Sequence, residues 1–151
     1  MPHSTHAVIP VSTAQPVRRQ GGEFRFAITP ATTTTTGGLM GDLTLQAGEE
    51  LIEHYHPFTD EYLYVVEGEL TATVEGDRLV LPAGSCLFIQ RGAHHSFAGA
   101  PAARTRAVVA LSPLAPRPEL GHVDCAAPAV AGELPEPAVA GEQPEPAGSH
   151  R

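Results

Sequence analysis

The chain contains no lysine: its nine basic residues are all arginine, set against 17 acidic ones, for a formal net charge of -8. Such a balance offers no basic stripe to neutralise a phosphate backbone, so nucleic acid is not an expected partner. Cysteine is scarce. Cys86 and Cys125 are the only two, and the opening Met1 to His6 has neither the basic segment nor the apolar run of a secretory signal, which predicts a cytoplasmic protein with free thiols. No run approaches the ~20 apolar residues of a membrane-spanning helix, so no membrane association is expected. Long helical periodicity is missing too, because Gly and Pro, 15 of each, interrupt every candidate window.

What remains is a chain of 151 residues with 42% hydrophobic content, enough for one compact domain. Residues 129–137 (AVAGELPEP) recur almost unchanged at 138–146 (AVAGEQPEP), acidic and proline-rich, with too little apolar surface to offset ordering entropy. The expected organisation is an N-terminal arm over 1–20, a folded domain over 21–125 and a disordered tail over 126–151. Short apolar runs predict nine strands in the domain, at 23–29, 39–46, 51–56, 61–67, 70–74, 78–81, 86–90, 95–98 and 104–111. Alternation is clearest at Leu70, Ala72 and Val74, which implies one buried and one wet face. The fold class is therefore all-β, a sandwich or small barrel. Thr32–Thr36 reads as a solvated, flexible connection, and Cys86, in an apolar run, as inert core.

The chemistry concentrates in the middle. His54 and His56 stand two apart, a spacing that sends both imidazoles to one face of a strand. A turn through Pro57 to Asp60 lets Glu61 start an adjacent strand, so three metal-capable groups can converge. A further imidazole comes from His94 or His95, whose side chains point oppositely on a strand. His3, His6 and His150 fall in weakly patterned ends and are expected to be solvated.

These residues resemble the cupins. Gly48, His54, His56, Glu61 and Gly68 meet every fixed position of the first cupin motif, G(X)5HXH(X)4E(X)6G. Gly84, Gln90, Gly92, His95 and Gly99 align with the second, G(X)5PXG(X)2H(X)3N, with Gln90 in place of Pro and Gly99 in place of Asn. That register favours His95 over His94. The resemblance implies a double-stranded β-helix holding one divalent metal ion through His54, His56, Glu61 and His95. His122 is a further candidate ligand if the segment after the last strand folds back over the barrel mouth. Imidazoles with one carboxylate suit Zn, Fe, Ni, Co and Mn alike.

A narrower resemblance, over roughly residues 5–125, is to the tetracenomycin-type cupin polyketide cyclases. Its carriers are His54-Tyr55-His56-Pro57, Glu61 to Gly68, Arg18 to Gly22, and Leu114 to Asp124. The resemblance implies intramolecular aldol cyclisation and aromatisation of a poly-β-keto chain, delivered by an acyl carrier protein. The metal would polarise a carbonyl, and Glu61 or a metal-bound hydroxide is the expected catalytic base. No electron transfer is needed, which favours Zn2+. By strand parity Ile52, Leu63, Val65 and Phe97 share the ligands' face and are expected to line the substrate pocket. Tyr62 and Tyr64 fall on the opposite face, packing between sheets or against a partner subunit, and a homodimer is expected. The competing readings are a quercetinase-like metal-dependent dioxygenase and a non-catalytic small-molecule-binding barrel.

Overall fold

The computed structural model describes residues 5–18 and 21–125. The expected disordered tail, with His150, lies outside the described residues, as does His3. Ten strands follow in order: β1 (Glu23–Ile28), β2 (Leu39–Leu45), β3 (Glu50–Tyr55), β4 (Asp60–Glu67), β5 (Glu69–Val74), β6 (Asp77–Pro82), β7 (Cys86–Ile89), β8 (His95–Gly99), β9 (Thr105–Ser112) and β10 (Val123–Asp124). They form two five-stranded antiparallel sheets, one in the order β1-β2-β9-β4-β7 and the other β10-β3-β8-β5-β6. All nine expected runs are strands, with ends displaced by a residue or two. The tenth, β10, was not anticipated, because two residues carry no periodicity.

Alternation produces the core. In β4 Glu61, Leu63 and Val65 are buried while Tyr62, Tyr64 and Val66 face out, and Ala107 and Val109 of β9 join the inner set. With Leu43, Leu45, Leu51, Leu70 and Phe97 they fill the space between the sheets, each large side chain contributing roughly 1.5–3 kcal/mol by leaving water. Cys86 departs from expectation. Its register partner is Tyr64, so it lies on the outer face and is exposed.

Three local features position the site. The 5–18 stretch forms a short 3-10 turn at Val11–Thr13 and a bridge between Val17 and Phe24, which secures it to β1. The 32–36 stretch is a connection, as expected, yet it is stitched to its surroundings: Thr32 Oγ1 donates to the Ala27 carbonyl at 2.7 Å and Thr33 Oγ1 to that of Thr29 at 2.9 Å. Gly41 lets β1 close onto β2, since a Cβ there would meet the Arg25 carbonyl oxygen at 2.0 Å. Among the described residues no helix is long and apolar enough to cross a membrane.

Candidate metal centre

His54 and His95 are direct cross-strand partners on β3 and β8, but the ladder between them is irregular. Leu51 pairs with Phe97 and His54 with His95, so β3 spends three steps where β8 spends two. This extra residue is a β-bulge, which re-aims the strand and resets its parity. Leu51 and His54 therefore both point inward. Ile52, expected on the ligands' face, is turned out and is 49% exposed. His56 follows two residues after His54 and is again buried, and Glu61 enters from β4 in the opposite sheet. His94 remains outside, stacked on Tyr55 with ring centroids 4.7 Å apart.

The result is a buried cluster of three imidazoles and one carboxylate. His54, His56, His95 and Glu61 each offer a ligating atom, and these atoms all lie within 4.8 Å of one another. Glu61 Oε2 stands 2.8 Å from His95 Nε2 and 3.3 Å from His56 Nε2. Glu61 Oε2 and His95 Nε2 are buried without a hydrogen-bond partner, a situation that costs free energy unless another group satisfies them.

The outer nitrogens are all anchored. His54 Nδ1 lies 2.8 Å from the Ile52 carbonyl, His56 Nδ1 2.8 Å from that of Gly121 and His95 Nδ1 2.8 Å from that of Ala93. A carbonyl can only accept, so each Nδ1 donates, and each neutral ring keeps the lone pair on Nε2. This is the tautomer and orientation of metal-ligating histidines, fixed from behind by the backbone. The bulge thus turns His54 inward and also supplies its anchoring carbonyl. The donor set fits a divalent ion of the zinc, iron, nickel, cobalt or manganese class.

For His54 the electrostatics agree, whereas His56 is drawn toward its protonated form when no ion is bound. Burial, with neighbouring His95, lowers the pKa of His54 to about 3, which keeps the ring neutral. Burial raises that of Glu61, but His56 and His95 more than offset it and hold the carboxyl down at about 2. His56 is raised, because the Glu61 carboxylate outweighs the burial that opposes charge.

Above the cluster lies a cavity of about 230 Å3, walled by Phe24, Phe26, Leu39, Leu111, Pro118 and His122 with His54, His56 and Glu61 at its base. A neighbouring cavity of about 400 Å3 shares Leu39, His56, Leu111, Pro118 and Gly121 and extends toward Pro30, Leu114 and Ala115. Leu63, Val65 and Phe97 are on the ligands' face, but they pack into the core and do not wall either cavity. The wall comes instead from β1, β2, β9 and the segment after β9. Phe24 and Phe26 are legible as a strand's alternating face; that this face bounds an opening as well as packing against the core is not.

The segment after β9 does fold back. Thr59 Oγ1 donates to the Pro113 carbonyl at 2.8 Å, a 3-10 turn forms at Pro118–Leu120, and β10 pairs with β3. His122 consequently stacks on His54, with ring centroids 4.5 Å apart, but its Nε2 meets Asp124 Oδ1 at 2.6 Å and it stands outside the group of four. His6 is exposed, as expected.

The chain is similar to known proteins. Residues 41–110 match the family described as Cupin domain. The tetracenomycin polyketide synthase protein TcmJ of Streptomyces glaucescens is 45% identical over 118 residues, covering 78% of this chain and 79% of that one. The polyketide synthase CurC of Streptomyces cyaneus is 41% identical over 127 residues, covering 84% and 82%. Among solved structures, the polyketide cyclase RemF from Streptomyces resistomycificus is similar in fold, with a TM-score of 0.64 at 19% identity, over 75% of this chain and 83% of that one. Motif, sheet topology and kinship over four-fifths of the length agree, and the chain belongs to the cupin family.

Proposed function

We propose that the protein is a metal-dependent polyketide cyclase, closing rings in a poly-β-keto chain by intramolecular aldol condensation and dehydration. The observation that carries this reading is the pairing of a buried three-histidine, one-carboxylate cluster with an apolar cavity directly above it, in a chain 45% identical to a polyketide synthase protein. His54, His56, His95 and Glu61 would hold the ion, for which we propose Zn2+ because an aldol step transfers no electrons. Bound there, a divalent cation supplies Lewis acidity toward a ketone oxygen and so eases loss of a proton from the adjacent methylene.

The chain's own residues do the rest. Phe24, Phe26, Leu39 and Leu111 present apolar walls that exclude water and restrict a flexible polyketone to folded conformers, in which one carbon faces one carbonyl. The proton must then be held. Glu61, the base expected from sequence, is only 2% exposed, clasped between two imidazoles, and its carboxyl is held near 2, which makes it a good ligand and a weak base. The better placed acceptor is His122, which lines the cavity and is backed by Asp124. We therefore assign Glu61 to the ion and the proton to the His122–Asp124 pair. Delivery by an acyl carrier protein, a cytoplasmic setting and a homodimer joined through the exposed Tyr62, Tyr64 and Phe88 are parts of the same proposal.

The test is reconstitution of the zinc-loaded protein with a minimal aromatic polyketide synthase, comparing wild type with His95→Ala and His122→Phe while oxygen is monitored. The expected result is one dominant cyclised product with wild type, shunt products with both variants, and no oxygen uptake. An unchanged product profile in His95→Ala overturns the catalytic reading, and stoichiometric oxygen consumption replaces it with an oxygenase.

A further inference from the structure

Behind the buried cluster, on the outer face of the same strands, a second group of ligating atoms comes together. Glu53 adjoins His54, His94 adjoins His95, and Cys125 follows β10, whose register sets Asp124 opposite His54. Ligating atoms of Glu53, His94 and Cys125 all lie within 4.8 Å of one another. Cys125 Sγ is 3.3 Å from His94 Nδ1. The geometry is held from several sides. The Tyr55 ring lies flat on His94, with an interplanar angle of 1°; the His94 amide donates to the Glu75 carboxylate; and the Cys125 amide donates to the Glu53 carbonyl at 2.9 Å.

We propose that Glu53, His94 and Cys125 form a second, surface metal site, selective for a zinc-class divalent ion, that clasps the segment closing the cavity to β3 and β8. Thiolate, imidazole and carboxylate together are a zinc donor set, and three protein ligands leave one position for water. Charge separates the two sites. One thiolate and one carboxylate neutralise a divalent ion here, whereas the inner cluster, with a single carboxylate, leaves its ion net positive and electrophilic. The outer ion is therefore the weaker electrophile of the two. Burial, together with the negative charges of Glu53 and Asp124, holds the Cys125 thiol above its ordinary value, so the surroundings favour a cation, and the thiol gives its proton to solvent on coordination. The clasp ties together residues 53, 94 and 125 just beyond His122 and Gly121, and so fastens both where they meet the inner histidines.

Cobalt titration of the full-length, metal-free protein tests this, because thiolate ligation of Co2+ produces an intense near-ultraviolet charge-transfer band that histidine and carboxylate ligands do not. The expected result is two Co2+ per chain, with the band growing to a stoichiometry of one per chain. Cys125→Ser should abolish the band and retain one bound ion; Cys86→Ser and His95→Ala should keep the band. Hydrogen exchange over 113–125 should slow in wild type in step with the growth of the band and not when Cys125→Ser binds its single ion. No band in wild type, a band surviving Cys125→Ser, or one lost in His95→Ala overturns the proposal. Each of these outcomes is independent of whether the inner site cyclises a polyketide.

Discussion

Truncating Leu51 to alanine should unfold the protein at a much lower urea concentration, while truncating its neighbour Ile52 should do so only slightly. Leu51 is 1% exposed and belongs to the core cluster, so its loss leaves a cavity, and buried Leu→Ala changes cost about 2–5 kcal/mol. Ile52 is 49% exposed. At about 0.8 kcal/mol per buried methylene, roughly half of the three lost carbons counts, so its truncation costs about 1 kcal/mol. With a urea slope of about 2 kcal/mol per molar, the midpoint should fall by about 1 M or more for Leu51→Ala and about 0.5 M for Ile52→Ala. The measurement is equilibrium unfolding followed by circular dichroism, in chelator so that metal affinity does not enter. A regular β3 would bury Ile52 beside His54 and reverse the order. If Ile52→Ala costs as much as Leu51→Ala, the bulge that aims His54 is wrong.

In a Cys125→Ser background, which lacks the outer site, zinc at a hundredfold excess over its dissociation constant should stabilise the protein by about 2.7 kcal/mol, raising the melting temperature by roughly 10–20 °C for a domain of this size; adding His54→Ala should remove most of that rise, and an undiminished rise argues against the inner cluster as the main site. Acid should weaken the metal-free protein. The unfolded chain protonates His54 near 6.5, whereas the folded chain keeps it neutral down to about 3, so stability falls as pH drops through that window, by about 1.4 kcal/mol per unit. His56, raised in the folded state, is charged in both states below 6.5 and does not cancel the slope there. Urea midpoints equal at pH 6.5 and pH 5 would falsify this account. Arg91→Ala should leave the thermal melting midpoint almost unchanged, because its bidentate pairing with Asp60 is half in solvent; a clear drop would mean that Asp60 steers Glu61.

Much of the site could be read before folding because its chemistry is local. His54 and His56 are two apart and Glu61 begins the next strand, so spacing gathered three ligands, while the cupin motif's register, and not spacing, chose His95 over His94. Parity failed at Ile52 because a bulge adds a residue that no alternation pattern announces. Cys86 was misread for a related reason: an apolar run does not reveal which face meets solvent, and that depended on pairing with Tyr64. The anchoring of His56 by the Gly121 carbonyl was illegible, since backbone acceptors have no sequence signature and the partners are 65 residues apart. The cavity wall was likewise assembled by contacts between β1, β2, β9 and the closing segment that only tertiary structure defines.

Because the ligands come from both sheets, and the ring of His56 is oriented by a carbonyl near the end of the domain, ion capture belongs to the final stage of folding. The loops that must close first are long, and their entropy is lost before any coordination bond can compensate. An ion that meets its ligands only after the rate-limiting barrier leaves the refolding rate unchanged and slows unfolding instead. Loading would then act as a kinetic latch on the finished barrel, prolonging its lifetime without guiding its formation.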